Sequence, residues 1–152
     1  MNAEMFVGLL VEGAILAVPL IVVAFLLSRF TRDIFGRSLL ALFLFAAAGA
    51  YFGFALMAAP SPVWTLSELA QVIGFGAMGL LGLRGSAWWL VGGWALHPLW
   101  DVVVHYLGPG HSFAPITYTI PCLSFDLLVG AYIAIAYGLI GSRKIGFREA
   151  TT

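Results

Sequence analysis

The chain has 152 residues, of which 62% are hydrophobic and only 9% charged, and its mean hydropathy of +1.03 leaves too little polar surface for a soluble domain, so the composition reads as an integral membrane protein. Seven basic and seven acidic residues cancel, which removes the electrostatic footprint that nucleic acid or an acidic partner would need. The single cysteine, Cys122, excludes an internal disulfide and a Cys-rich zinc or iron–sulfur site, Lys144 follows the last apolar run and offers no intramembrane Schiff base, and there is no GxxxxGK[ST] loop for ATP.

Apolar runs of about 20 residues predict five membrane spans, at 5–27, 38–58, 63–83, 87–107 and 117–140. The first carries Glu12 and a Pro19 expected to bend it only locally, and is followed by Arg29, Arg32 and Arg37. The second holds no ionisable group, but its Gly49 and Gly53 form a GxxxG pair suited to close helix packing. The third brings Glu68 and Gln71 onto one face and is thinned by Gly74, Gly76, Gly79 and Gly82 before ending at Arg84. The fourth begins at Trp88 and Trp89 and carries His97, Asp101 and His105, with Pro98 removing a helix hydrogen bond and predicting a kink. A turn-rich loop, 108–115, contains His111, expected either to be solvated or to swing inward as a ligand or lid residue. The fifth carries Tyr118, Cys122 and Asp126 in a second four-residue series, and the tail holds Arg143, Lys144 and Arg148.

Every basic residue therefore falls at one end of the bundle, and the positive-inside rule predicts an outer N-terminus and a cytoplasmic C-terminus. The expected architecture is a single all-α, five-span bundle covering 1–152. No internal repeat is present, which disfavours inverted-repeat transport.

Ionisable groups are expensive in hydrocarbon and mark function there. Six fall inside the predicted spans: Glu12, Glu68, His97, Asp101, His105 and Asp126. At about 1.5 Å of rise per residue, they occupy one layer, from the outer half to the midplane, although they come from four different helices. Their agreement in depth predicts a single site. His97, Asp101 and His105 recur every fourth residue and form a slowly drifting stripe that should face inward.

Charge then limits the chemistry. Four carboxylates face two histidines with no Lys or Arg inside the spans, so the site keeps two surplus negative charges even with both rings protonated. Protonated carboxyls, a cationic substrate, transported protons or a divalent transition metal such as iron, manganese, zinc or copper would balance them. A metal would draw on His97, Asp101, His105, Glu12, Glu68 and Asp126, although the two histidines stand too far apart along the axis to share one ion. Acid–base catalysis would rest on His97, Asp101, Glu68 and Asp126, with Trp94 and Trp100 available to line a pocket for an apolar substrate. A proton or cation relay, or plain structural pairing, are the other readings.

The run His97-Pro-Leu-Trp-Asp101, with His105, Gly108-Pro-Gly and Cys122-Leu-Ser-Phe-Asp126, resembles a family of small bacterial integral membrane proteins of unknown function. The likeness extends from the third span onward, including Leu80 to Trp88. It implies a multi-pass protein of the bacterial cell membrane and brings no known reaction. The expected function is a small membrane enzyme acting on an apolar or lipid-like molecule, with the lipid bilayer as surroundings. The alternatives are a proton- or cation-linked carrier and a structural subunit. Oligomeric state is open.

Overall fold

The computed structural model describes residues 1–58 and 61–139. Pro60, Ile140 at the end of the fifth expected span, and the basic residues Arg143, Lys144 and Arg148 lie outside the described residues. The architecture is all-α. Helix α1 spans Ala3–Phe30, α2 Asp33–Ala58, α3 Pro62–Arg84, α4 Trp88–Trp100 and α5 Ile116–Ile133. Two helices change winding as they proceed: α4 continues as a π-helix over Asp101–Tyr106, and α5 as a π-helix over Ala134–Leu139. A short 3₁₀ turn, Pro109–Ser112, lies in the loop between them.

The helices start and stop where local chemistry dictates. Asn2 caps α1 by accepting from the Met5 amide at 2.9 Å. Ser61 caps α3, with Pro62 at the first helical position, where its missing N–H costs nothing. Helices α1 and α2 outrun their expected spans because charged first and last turns, Glu4 and Arg29 on α1 and Asp33 on α2, suit the helix ends. Pro19 and Pro121 sit inside continuous helices.

Four segments are long and apolar enough to cross a membrane: Ala3–Phe30, Asp33–Ala58, Pro62–Arg84 and Ile116–Leu139. The fourth expected span, 87–107, differs. Its α-helical part is 13 residues long, because the winding changes at Asp101, three residues after Pro98. The kink expected at the proline takes the form of this wider turn.

Each helix packs on the next, and α5 closes the ring by lying along α1. The α1–α5 contact is unusually close. Gly13 faces the Pro121 carbonyl so tightly that a Cβ there would lie 1.9 Å from the oxygen, and Ser124 Oγ donates to the Leu10 carbonyl at 2.6 Å. Near the other end of the helices, Ser28 and Tyr137 share a hydroxyl hydrogen bond of 2.6 Å. Gly49 and Gly53, expected to be a packing pair, meet nothing within 4 Å; the close approaches fall instead at Gly13, Gly36, Gly82 and Gly93.

The burial pattern is the reverse of a water-soluble fold. Leucines, valines and phenylalanines line the outside, with Val11, Ile15, Val18 and Val22 all exposed along one side of α1, while five ionisable side chains are buried. A hydrocarbon exterior favours that arrangement.

Candidate functional site

The site is built on α3, α4 with its π-helical continuation, and α5. Glu68, His97, Asp101 and Asp126 have no solvent exposure, and His105 has 2%. Their side chains form a chain in which carboxylates and imidazoles alternate. Asp126 Oδ2 lies 2.7 Å from His97 Nδ1. That same nitrogen lies 3.6 Å from Asp101 Oδ2. Asp101 Oδ1 lies 3.5 Å from His105 Nδ1, and the opposite ring nitrogen of His105 contacts Glu68 Oε1 at 3.0 Å. Gln71 ends the series, donating from Nε2 to Glu68 Oε2 at 3.1 Å and to the Ala48 carbonyl at 2.8 Å.

The change of winding explains why three residues on one helix can all take part. In an α-helix four residues overshoot a turn by about 40°, so His97 and Asp101 drift slightly around the axis. The π-helix closes with i→i+5 bonds and holds more than four residues per turn. The step from Asp101 to His105 therefore falls short of a full turn and reverses the drift. All three side chains stay on the face that looks into the bundle.

Asp101 is the centre of the chain. It lies within ion-pair range of both rings yet is hydrogen-bonded to neither, so both of its oxygens are buried without a hydrogen bond. Asp126 Oδ1 and His97 Nε2 are in the same condition. Three carboxyls and two imidazoles share this interior, so with all three carboxyls ionised the cluster would be net negative even with both rings protonated. His97, Asp101 and Asp126 each offer a donor atom within 4.8 Å of the others, a group that can hold a metal ion. His105 and Glu68 lie outside that group, in keeping with the axial separation of the two histidines.

Of the six residues expected to converge, five do so. Glu12 does not join them. It is exposed on α1, on the rim of a crevice of about 340 Å³ between α1, α2 and α5 whose wall includes Asp126. Tyr118 and Cys122, from the same four-residue series as Asp126, line that crevice too. Trp94 is fully buried in the core against Phe125, and Trp100 packs against the same core.

Tyr51 was not legible as a site residue. It is fully buried on α2, within the expected span 38–58 that holds no Asp, Glu, His, Lys or Arg, and its ring stacks on His105 with centroids 3.8 Å apart and planes 8° from parallel. Its one sequence signal is a phenol in an apolar run, where a buried tyrosine needs polar company. On the loop side Phe113 packs edge-on against His105 at 5.9 Å, and Gly110 lies so close that a Cβ would meet the His105 ring at 2.7 Å. A second crevice, beside the loop, is lined by His105, His111 and Ser112. His111 is exposed there, with Nδ1 2.7 Å from the Gly108 carbonyl.

Apolar helices arranged in a ring around a buried carboxylate–imidazole chain define a helical protein of membrane character with a polar interior site. The chain belongs to DUF6010, a family of unknown function whose profile matches residues 12–140, a stretch that contains all six ionisable residues singled out above. No curated protein and no solved structure matches it.

Proposed function

We propose that this protein is a multi-pass membrane enzyme that performs acid–base chemistry on an apolar or lipid-like molecule reaching Asp126 from the bilayer. The observation that carries the reading is the double environment of Asp126. One of its oxygens is hydrogen-bonded to His97, while the other is buried without a partner, and the residue is one of those that line a crevice whose rim residues Leu16 and Phe43 face outward. An acid with a proton partner behind it and ligand space before it is what general acid–base catalysis requires.

In this mechanism Asp126 exchanges a proton with the substrate and His97 replenishes or removes that proton through Nδ1. Asp101 stabilises the imidazolium while it exists, as an oriented carboxylate does for a catalytic histidine. His105 and Glu68 extend the chain, so that charge can be redistributed without water entering the interior. His97, Asp101 and Asp126 are also the residues that would hold a divalent metal, which would act as a Lewis acid at the same position.

Five spans complete the topology, the fourth in chain order being the continuous helical stretch Trp88–Tyr106. The N-terminus faces out and the C-terminus lies in the cytoplasm of a bacterial cell. The Arg37 guanidinium donates to the Gly85 carbonyl at 3.2 Å, so the first and third connections share one end of the bundle, as a common cytoplasmic face for the arginines requires.

The test is isotopic. Purified protein in nanodiscs made from the lipids of its host membrane is incubated in D₂O, and the extracted lipids are weighed by mass spectrometry. The expected result is one lipid species that gains deuterium or changes mass with the wild type and not with Asp101→Asn. A second reading, a proton carrier, is favoured by the placement of His105 on the loop-side crevice and Asp126 on the lateral one, which connects two openings through one chain. Unchanged lipids, together with a proton flux in liposomes that Asp101→Asn abolishes, would overturn the enzyme in favour of the carrier.

A further inference from the structure

We infer that the lateral crevice between α1, α2 and α5 binds an amphiphile with a protonated amine headgroup. The inference rests on the reading of Asp126 as the substrate-facing end of the site, and it adds the class of molecule that arrives there. Two carboxylates mark the crevice, Glu12 at its rim and Asp126 in its wall, and no Lys, Arg or His lines it. Glu12 makes no hydrogen bond or ion pair with any described residue. A carboxylate on the apolar flank of a membrane helix is expensive without a cation, and none of the described residues supplies one within the crevice.

The second acid is placed differently, and that difference points to a ligand. Asp126, one of the residues lining the crevice, is fully buried; its Oδ2 is held by His97 and its Oδ1 is left without a hydrogen bond. A buried acceptor of this kind needs a donor, and an ammonium offers three while also supplying the positive charge that the interior lacks. The remaining walls fit the rest of such a molecule. Phe43, Phe125 and Tyr118 present aromatic rings, which attract ammonium groups through their faces, and Leu16 continues the apolar surface outward for a hydrocarbon tail. The volume of about 340 Å³ suits a headgroup and the first part of one chain, with the remainder in the bilayer.

An anionic headgroup would meet two carboxylates and no cation. A neutral alcohol would satisfy Asp126 Oδ1 but leave Glu12 unbalanced. The amine alone answers both.

The experiment uses the full chain in uncharged maltoside micelles with four probes: dodecylamine, dodecanol, dodecanoate and the tail-less ethylamine. Apparent affinity is read from the ligand-dependent rise in melting temperature, followed by tryptophan fluorescence. Dodecylamine is expected to bind about tenfold or more tightly than dodecanol, the worth of a charge-assisted hydrogen bond. Dodecanoate and ethylamine should give no shift at matched concentration. Glu12→Gln, on an exposed position where folding is not at risk, should reduce the preference for amine over alcohol about tenfold, and Asp126→Asn should abolish it. Equal binding of amine and alcohol, or an amine preference untouched by Glu12→Gln, overturns the inference. A preference confirmed without deuterium transfer in D₂O would leave this binding site standing and remove the enzyme; transfer to a neutral lipid would do the opposite.

Discussion

The contact between α1 and α5 offers a sharp quantitative test, because Gly13 leaves no room for even a methyl group. In Gly13→Ala the new Cβ would stand 1.9 Å from the Pro121 carbonyl oxygen and 2.5 Å from Ser124 Oγ, whereas side-chain carbons essentially never approach within 3.0 Å of other heavy atoms. Helix α1 must therefore retreat by at least about 1 Å. The hydrogen bond from Ser124 Oγ to the Leu10 carbonyl, 2.6 Å long and adjacent to the clash, would be lost, at a cost of about 1 kcal/mol. Overpacking at a tight interface adds roughly 1–3 kcal/mol, for a total of roughly 2–4 kcal/mol. For a chain of this size that lowers the melting temperature by about 5–15 °C.

The assay is thermal unfolding in neutral detergent, monitored by intrinsic tryptophan fluorescence. Gly49→Ala is the matched control, since a Cβ there meets nothing within 4 Å, and replacing a mid-helix glycine by alanine is neutral or stabilising. If both substitutions leave the melting temperature alike, the close α1–α5 crossing is refuted, and with it the shape of the crevice that Glu12 and Asp126 share.

Other perturbations address the interior directly. His97→Ala removes the one hydrogen-bond partner that the Asp126 carboxylate has among the described residues and is expected to destabilise by roughly 3–5 kcal/mol, read in the same melts. Because His97, Asp101 and Asp126 offer donor atoms within 4.8 Å, added Zn²⁺ should raise the melting temperature of the wild type by several degrees, and Asp126→Asn should eliminate the rise. Gly110→Ala would press a Cβ to 2.7 Å from both the His105 ring and the Val104 carbonyl; we expect a loss of roughly 1–3 kcal/mol and a disturbed Tyr51–His105 stack, visible as altered His105 ring signals in NMR of labelled protein.

Sequence reasoning reached the interior more readily than the surface. Depth along a helix follows from counting residues, so Glu68, His97, Asp101, His105 and Asp126 could be placed in one layer before any packing was known, and these five do meet. Rotation about the axis is another matter. Successive residues in an α-helix differ by about 100°, and the rotation of α1 is set by Gly13 pressing on Pro121. That contact turns residue 12 away from the core, a consequence of tertiary packing that no periodicity of α1 announces in its uniformly apolar sequence.

The glycine pair at 49 and 53 fails for a related reason: small residues permit close approach but do not choose the neighbour. Tyr51 was missed because the search was for ionisable groups, and a stacked phenol becomes evident only once the opposing ring is placed. The change of winding after Pro98 was legible as a break in the pattern. Its form was not, because the removal of one amide leaves several ways to rebuild the turn.

The widened segment at Asp101–Tyr106 also makes the spacing between the two histidines sensitive to length. Deleting a single residue among 102–104 would let the chain relax into ordinary winding while keeping the fragment count on either side nearly intact. His105 would then shift around the axis by only about 30°, enough to alter its distances to Asp101 and Glu68 while leaving it on the inward face. The alternating chain is thus set by one residue's worth of slack in the winding, and taking that slack away would be felt first in the contact between His105 and Glu68.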